Sequence, residues 1–464
     1  MKFLTLMMSA AILAPLSIPA VAQAGASGQG ERVQADLLPV NASDRAILLR
    51  SVAFQATIYG LPAVLQYKEM HRQAIAEGGA GYSGFGTFIH ERELAGPGYA
   101  AFKVPNSDTL YSTSWLDLAL GPVEVTIPPT SLRYYTLNYF DIYGNPGNLG
   151  TRTVGSAGGR FLLTPPGWQG DVPEGLTRVE MTSRHVWILM RVFAQTRREL
   201  EQAYRFQDAV KLRPRGDLAS TAAPGHVPPA PGDSAADFMR ALDYVLATDG
   251  HLPGEEALMA GFRTIPGLGS GHFDPARLDP VAREAVEAGY ADAMRLLLNA
   301  RSQLGQPTGT GWTVVSKGNY GHNYLRRAIN NLAGLGANVR EENASFNTFV
   351  DAGGEPLDGA KAAYRLHLPQ PPPVDGFWSV TLYDARTFEL HPNPLGRYLV
   401  SDRTPGLKVN RDGSVDIIIR HATSESANWL PAPAGPFFLV IRSYLPRAEV
   451  TSGRWLPPGV IREP

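Results

Sequence analysis

The chain has 464 residues, a formal net charge of −1 and no cysteine. A nearly neutral charge provides no basic field for nucleic acid or anionic membranes, so neither is an expected partner. The lack of cysteine excludes disulfides, thiolate metal sites and cysteine nucleophiles. The length is sufficient for two or three domains with ordinary cores.

The N-terminus has the pattern of a secretory signal peptide, predicted over residues 1–24. An apolar run follows one positive residue, and Ala22 with Ala24 gives an A-x-A cleavage pattern. A membrane anchor is the alternative, but Pro15 and Pro19 interrupt a run that is short for a bilayer. No later apolar run reaches that length, so we expect a periplasmic or secreted protein without membrane insertion.

The next part of the chain changes from a helical to a strand period. Residues 25–43 are small and polar and predict a flexible arm. Residues 44–195 are predicted to hold N-terminal helices and a first β-sandwich. Apolar spacing in residues 46–77 is helical, and Pro62 predicts a break into two helices. From about 109 to 193, alternating runs separated by Gly, Pro and Asn predict antiparallel strands.

The second half of the chain repeats this change of period. Residues 196–345 are predicted to be mainly helical, with a Pro-rich linker at 213–232. Residues 346–464 return to short strands and predict a second β-sandwich. The predicted fold class is therefore α+β, with two antiparallel β-sandwich modules joined and flanked by helical segments.

The two strand-rich regions resemble each other in residue order. Residues 134–152 and 377–398 both set an aromatic pair, a Tyr, an Asp, an Asn-Pro and a Leu-Gly in sequence. This order predicts an internal duplication, with chance similarity between aromatic-rich sheets as the alternative. The expected equivalent pairs are Asp141 with Asp384, Asn145 with Asn393, and Trp168 with Trp429.

Most strong catalytic motifs are missing from the sequence. It contains no G-x-S-x-G elbow, S-x-x-K pair, H-E-x-x-H helix or phosphate-binding glycine loop. The histidines are scattered without metal-ligand spacing. His90 lies beside Glu91 and Glu93, but a solvated loop of mixed charge explains that run better. We therefore predict no metal site and no cofactor.

The stretch "VPNSDTLYSTSWLDL" carries the first candidate site. Its alternation places Tyr111 on one face of a strand and Leu110 on the other. Asn106 and Asp108 precede the strand, and their simplest role is an Asx-type turn that bonds nearby backbone groups. The alternative is that Asp108 is a general acid or base with Tyr111 as its partner.

The stretch "GNYGHNYLRRA" carries the second candidate site, at the start of a predicted helix. Free backbone N–H groups and the helix dipole favour an anionic ligand or a developing oxyanion there. We expect this helix start to form one wall of a groove, with the stretch around Asp108 as the other. The predicted catalytic residues are Asp108, Tyr111 and Tyr324, and the predicted substrate-binding residues are Asn106, Tyr320, Asn323, Arg326, Trp378 and Arg397.

Several segments together resemble a known family. "VPNSDTLYS", "RYYTLNYFDIYGN", "LLTPPGW", "GHNYLRRA", "FWSVTLYD", "NPLGRY" and "NWLPAP" occur in that order. They are similar to exported bacterial proteins with two paired domains of unknown function, numbered twelve fifty-four and twelve fourteen. His322 and the linker at 213–232 depart from the expected pattern. The resemblance implies β-rich domains joined to helices and an exported protein, and it supplies no established reaction.

Three functions fit these residues. The first is an exported enzyme that uses carboxylate and phenol acid–base chemistry, by hydrolysis or elimination, on a saccharide-like or carboxylated substrate. The second is a binding protein that holds a small molecule or saccharide with aromatic platforms and arginine forks, without turnover. A purely structural envelope protein is the third. The sequence leaves the oligomeric state open.

Overall fold

The computed structural model describes residues 38–99, 104–216, 226–301, 304–315, 317–318 and 320–463. The predicted signal peptide, its cleavage site and most of the predicted arm lie outside these residues. So does the middle of the predicted linker.

Seven α-helices occur in the described residues. They are α1 (Ala42–Met70), α2 (Arg197–Ala209), α3 (Ala235–Asp249), α4 (Glu256–Phe262), α5 (Pro280–Arg301), α6 (Tyr324–Ala333) and α7 (Ala448–Thr451). Short 3-10 turns span Leu118–Leu120 and Pro275–Arg277, and a π-turn, His71–Ile75, continues α1. Helix α1 packs with α3, α5 and α6 around one apolar core.

Helix α1 runs unbroken through Pro62, so the prediction of two helices was wrong. A proline removes one backbone hydrogen bond from a helix interior. Here Leu61, Ala63 and Val64 around it are buried in the helical core, and that burial outweighs the loss. By length and composition alone, Ala42–Ile75 could also span a membrane, but 61% of its most apolar window is buried inside the protein.

The first module is a β-sandwich of two sheets. Its strands are β1 (Ile89–His90), β2 (Thr109–Asp117), β3 (Val123–Ile127), β4 (Tyr135–Asp141), β5 (Pro146–Gly150), β6 (Gly159–Thr164), β7 (Thr177–Glu180), β8 (His185–Phe193) and β9 (Lys211–Pro214). One sheet has the order β1-β2-β8-β4-β5 and the other β7-β6-β3-β9. Leu110 and Leu116 of β2 point into the sandwich core, whereas Tyr111 and Trp115 face the helical core.

The second module is also a two-sheet sandwich. Its strands are β10 (Gln306–Pro307), β11 (Thr313–Val314), β12 (Asn343–Thr348), β13 (Ala363–Leu368), β14 (Trp378–Asp384), β15 (Leu399–Ser401), β16 (Val415–Arg420), β17 (Trp429–Pro431), β18 (Phe437–Tyr444) and β19 (Ile461–Glu463). The sheet orders are β10-β11-β12-β18-β14-β15 and β17-β16-β13-β19. The α+β class with two sandwich modules is therefore confirmed, although one strand pair in each module is parallel.

The two modules share one topology. Strands β2-β8-β4-β5 correspond in order to β12-β18-β14-β15, and β7-β6-β3-β9 correspond to β17-β16-β13-β19. The parallel pair falls at the same place, between β6 and β7 and between β16 and β17. Matching strand order supports the predicted duplication.

The strand pairing in the two modules shows whether the three predicted residue pairs are equivalent. Asp141 and Asp384 both end corresponding strands and pair with the corresponding residues Val186 and Phe437. The other two pairs were wrong. Asn145 adjoins β5 but Asn393 lies well before β15, and Trp168 lies in the loop before β7 while Trp429 begins β17. Loops that differ in length displaced these residues, because no ladder fixes them.

Candidate functional site

The central strands β8 and β18 carry an arginine at corresponding positions. Arg191 pairs with Thr136, the second residue of β4, and Arg442 pairs with Ser379, the second residue of β14. Equivalent backbone hydrogen bonds lie next to the two arginines. The Ala194 N–H donates to the carbonyl of Asp108 at 3.1 Å, and the Leu445 N–H donates to that of Glu342 at 3.0 Å.

Both guanidinium groups are buried and are held by neutral acceptors. Arg191 donates to the Asn138 side-chain oxygen and, at 2.8 Å, to the Gly336 carbonyl. Arg442 donates to the Tyr383 hydroxyl at 2.8 Å and to the Val104 carbonyl at 3.0 Å. These bonds orient the two cations without neutralising them.

The two arginines line a cavity of about 190 Å³ at the junction of the modules. This volume is far larger than one water needs. Lys317 is a third cation in its wall, and none of the described lining residues is acidic. The lining residues are Val104, Asn106, Tyr111, Arg191, Lys317, Ala333, Gly334, Leu335, Gly336, Ala337, Asn338, Asn343, Ser345, Asn347, Val440, Arg442 and Tyr444.

Lys317 has neutral hydrogen-bond acceptors as well. Its ammonium donates to the Asn343 side-chain oxygen at 3.1 Å and to the Ser345 hydroxyl at 3.0 Å. Burial, and then the charges of Arg442 and Arg191, lower the pKa of Lys317 to about 7. The side-chain nitrogen of Asn343 is buried without a hydrogen-bond partner. A ligand oxygen in the cavity would satisfy that donor.

Two phenols complete the polar wall. Arg191 lies over the ring of Tyr111, 5.5 Å from its centroid, and the Asn106 N–H donates to the Tyr111 hydroxyl at 3.3 Å. The Asn106 side-chain amide also donates to the Tyr444 hydroxyl. Burial raises the pKa of Tyr111 and that of Tyr444 above the usual range. Both phenols therefore keep their protons at neutral pH.

Asp108 lies behind this wall and does not line the cavity. Its carboxylate accepts hydrogen bonds from Ser379 at 2.7 Å and Gln195 at 3.0 Å, and its side chain is fully buried. Burial raises the pKa of Asp108 to about 6. Its N–H donates to the Asn106 side-chain oxygen at 2.6 Å, which confirms the Asx-type turn. The catalytic role of Asp108 stays a prediction that its surroundings do not favour.

The predicted groove does not form, because its two walls line different cavities. Asn106 and Tyr111 face the module junction, whereas Asn323 and Tyr324 line a separate pocket of about 610 Å³ between α1, α4 and the start of α6. The α6 segment packs on the helical layer instead of the second sandwich. The Tyr324 ring contacts that of Tyr59 in α1 at a centroid distance of 5.2 Å.

The residues at the start of α6 have structural partners. The Asn323 side chain caps α6 by accepting the Arg326 N–H at 3.0 Å. The Arg326 guanidinium lies over the ring of Tyr320, which is buried, at 5.9 Å. Burial, reinforced by the charge of Glu255, raises the pKa of Tyr324 to about 12, so this phenol is a donor at neutral pH.

The remaining two predicted substrate-binding residues lie apart from the cavity. Trp378 packs in the core of the second sandwich, because alternation in β14 turns Ser379 and not Trp378 towards the junction. Arg397 donates to the carbonyls of Ala427 at 2.9 Å and Trp429 at 3.1 Å, which braces a loop.

Sequence reasoning missed Arg191, Lys317, Arg442, Tyr444 and Asn343 as site residues. A signal for the arginines was present in "HVWILMRVF" and "FFLVIRSY". Each is an apolar strand with one cation, and every residue of both strands is buried. A charge in such a strand is rare unless it has a specific task. In the part of the chain that the structure describes, no three His, Cys, Asp or Glu side chains cluster as metal ligands.

Comparison with protein families identifies the family of each module. A family model described as "Protein of unknown function (DUF1254)" matches residues 85–214, and one described as "Protein of unknown function (DUF1214)" matches residues 342–448. The chain belongs to the DUF1254/DUF1214 proteins. The first match spans β1 to β9 and the second spans β12 to β18, so the DUF1254 and DUF1214 domains are the two sandwich modules. The predicted pair of domains is confirmed.

One solved structure shows the same fold. The VPA0106 protein from Vibrio parahaemolyticus aligns with a TM-score of 0.71 and 22% identity, over 90% of this chain and 100% of that one. A putative uncharacterised protein from Burkholderia cenocepacia aligns over 94% of this chain and 93% of its own, with 14% identity and a TM-score of 0.43. No curated protein matches the sequence.

Proposed function

We propose that this DUF1254/DUF1214 protein binds a small carboxylate-bearing organic molecule in the junction cavity. The observation that carries the proposal is the group of three cations, Arg191, Lys317 and Arg442, whose hydrogen-bond acceptors are all neutral. No described lining residue supplies a negative charge, although Asp108 interacts with Arg442 and Glu342 interacts with Arg191 from outside the cavity. An anionic ligand inside the cavity would stabilise the three cations further. A guanidinium also matches the planar geometry of a carboxylate.

The same geometry favours a carboxylated ligand over a neutral saccharide. A neutral sugar needs hydrogen bonds and an aromatic platform, but it brings no negative charge to the three cations. The unpartnered amide nitrogen of Asn343 supplies a further donor for a ligand oxygen. The cavity volume of about 190 Å³ suits a compact organic acid.

Binding is better supported than acid–base turnover by a carboxylate and a phenol. Asp108, the predicted general acid or base, is buried behind the cavity wall. The phenols of Tyr111 and Tyr324 are protonated and line different cavities. The three residues therefore share no site in which they could act together in hydrolysis or elimination. Export to the periplasm or the medium stays a proposal that rests on the N-terminal pattern.

Isothermal titration calorimetry tests the proposal. Pyruvate, succinate and galacturonate are titrated into the protein, with glucose as the neutral probe, at two salt concentrations. We expect a carboxylate to bind and glucose not to bind. Arg191→Gln and Arg442→Gln should each weaken binding by about ten- to a hundredfold. Arg197→Gln, a change on the exposed surface of α2, is the matched control.

The proposal fails if no anionic probe binds to the folded protein. It also fails if the Arg197→Gln control weakens binding as much as the two cavity variants do, because a general loss of positive charge would then explain the result. Circular dichroism establishes that every variant is folded before titration.

A further inference from the structure

Lys317 has a feature that simple anion binding does not require: an amine in a cavity that two arginines also line. We propose that Lys317 forms a Schiff base with the carbonyl carbon of a small 2-oxo acid whose carboxylate is held by Arg191 and Arg442. This inference deepens the proposed binding function and rests on it.

The first support is the hydrogen bonding of the amine. Lys68 and Lys361 are paired with Asp233 at 2.7 Å and with Asp358 at 3.6 Å. Among the ion pairs formed by the described residues, none includes Lys317. Its acceptors are the Asn343 amide oxygen and the Ser345 hydroxyl, which orient the nitrogen without stabilising its positive charge as a carboxylate would.

The second support is the charge that faces the amine. Arg191 reaches the cavity from β8 and Arg442 from β18, and the protonated phenols of Tyr111 and Tyr444 bring no negative charge. A lysine that is desolvated or next to another cation keeps a neutral, nucleophilic nitrogen near physiological pH. The pKa of Lys317, lowered to about 7, agrees with that arrangement.

The third support is the relation between the amine and the carboxylate site. A 2-oxo acid carries its ketone directly beside the carboxylate, so a ligand anchored by two guanidinium groups presents its carbonyl within the same small cavity. The reaction balances without any co-reactant. The nitrogen lone pair forms the C–N bond, protons shift from nitrogen to the carbonyl oxygen, and that oxygen leaves as water to give the imine.

Borohydride trapping tests this step. The full chain is incubated with pyruvate and sodium cyanoborohydride at pH 7.5, and intact and peptide mass spectrometry locates the adduct. We expect one reduced propionate adduct, on Lys317. Lys317→Arg, which keeps the positive charge, should abolish the adduct, whereas Lys361→Arg should leave it unchanged.

A competition experiment needs no variant. Succinate has two carboxylates and no ketone, so we expect it to give no adduct and to suppress the adduct formed from pyruvate. An adduct spread evenly over the lysines, or one that succinate does not suppress, would overturn the inference. If calorimetry shows pyruvate binding that depends on Arg191 but trapping gives no adduct on Lys317, the Schiff base is wrong and the binding function stands. If no anionic probe binds, the proposed function itself is wrong.

Discussion

The Ser379 hydroxyl donates a hydrogen bond to the Asp108 carboxylate at 2.7 Å, across the boundary between the two sandwich modules. Gln195 donates to the other carboxylate oxygen at 3.0 Å, and it also contacts Ser401 of the second module. Asp108 is therefore a buried residue that links the two modules by hydrogen bonds. We therefore expect ionisation of Asp108 to weaken their docking.

Asp108→Asn should change the pH dependence of stability. Burial raises the folded-state pKa of Asp108 from 3.8 to about 6, so the native chain holds a proton that the unfolded chain releases. This carboxyl contributes stability that is fully present below pH 3.8 and is lost as pH rises through about 6. Two pKa units correspond to about 3 kcal/mol. Urea unfolding between pH 3.5 and 7.5 should show this fall in the wild type and not in the variant.

Two further variants control this measurement. Asp171→Asn changes an exposed carboxylate and should leave the pH profile as in the wild type. Ser379→Ala removes a donor that stabilises the charged form, so the fall in stability should extend to higher pH. Identical profiles for wild type and Asp108→Asn would contradict the assignment of this slope to Asp108.

Arg152→Met should destabilise the protein mainly at neutral and higher pH. Arg152 pairs at 2.8 Å with Glu342, which is fully buried, while Arg152 itself is 37% exposed. Burial already raises the pKa of Glu342, and loss of its partner raises it further. We expect a loss of about 1–3 kcal/mol above the Glu342 pKa, reduced by the solvent screening of Arg152. The loss should shrink as the pH falls and Glu342 becomes protonated.

Guanidinium unfolding at pH 4 and pH 8 measures this difference. Arg72→Met breaks an exposed pair with Glu69 and should change stability by about 0.5 kcal/mol or less at both pH values. An equal loss for Arg152→Met at both pH values would mean that packing, and not the charge of Glu342, determines the result.

Succinate binding should be accompanied by proton uptake near neutral pH. Lys317 has a pKa of about 7 in the free protein, and a bound carboxylate favours its charged form. The affinity should therefore fall as the pH rises through this value, while the two arginines retain part of it. Calorimetry at pH 7.5 in HEPES and in Tris, which differ in ionisation enthalpy, measures the uptake. Lys317→Met should bind with no uptake; unchanged uptake in that variant would assign the proton to another group.

Phe377→Ala should weaken the junction specifically. The Phe377 ring is buried and lies 4.4 Å from the Phe193 ring and 4.1 Å from the Tyr444 ring, centroid to centroid. We expect a loss of about 3–5 kcal/mol. Phe346→Ala, an equally buried change inside the second sandwich, is the control of similar cost. Hydrogen exchange in β4 and β8 of the first module should increase in Phe377→Ala and not in Phe346→Ala.

The sequence was sufficient to predict features that depend on local periodicity. Strand β2 alternates between apolar and mixed faces, and the structure places Leu110 in the sandwich and Tyr111 against the helices. The repeated order of residues also predicted two modules of one topology. Pro62 was misleading because a proline's effect depends on what packs around it, and here the helical core fixes a continuous helix.

The cavity depends on contacts between distant parts of the chain, which a single sequence does not show. Arg191 is oriented by the Gly336 carbonyl, 145 residues further on, and Arg442 by the Val104 carbonyl, 338 residues earlier. The sequence at the start of α6 is as rich in polar residues as the stretch around Asp108, yet this segment packs on α1. The docking of the modules decides which segment each polar strand face contacts. The sequence alone predicted neither this docking nor the role of Lys317.

Each module of the duplicated fold holds only one of the two cavity arginines. An ancestral chain with a single module would have built such a cavity only by pairing with a second copy, and the two halves would then have been identical. A single chain that holds both modules is free of that constraint. Tyr111 now stands beside Arg191 where Ser345 stands beside Arg442. At this one position the first module supplies a phenol and the second a small hydroxyl, so the two halves of the cavity differ and suit a molecule whose two ends are chemically different.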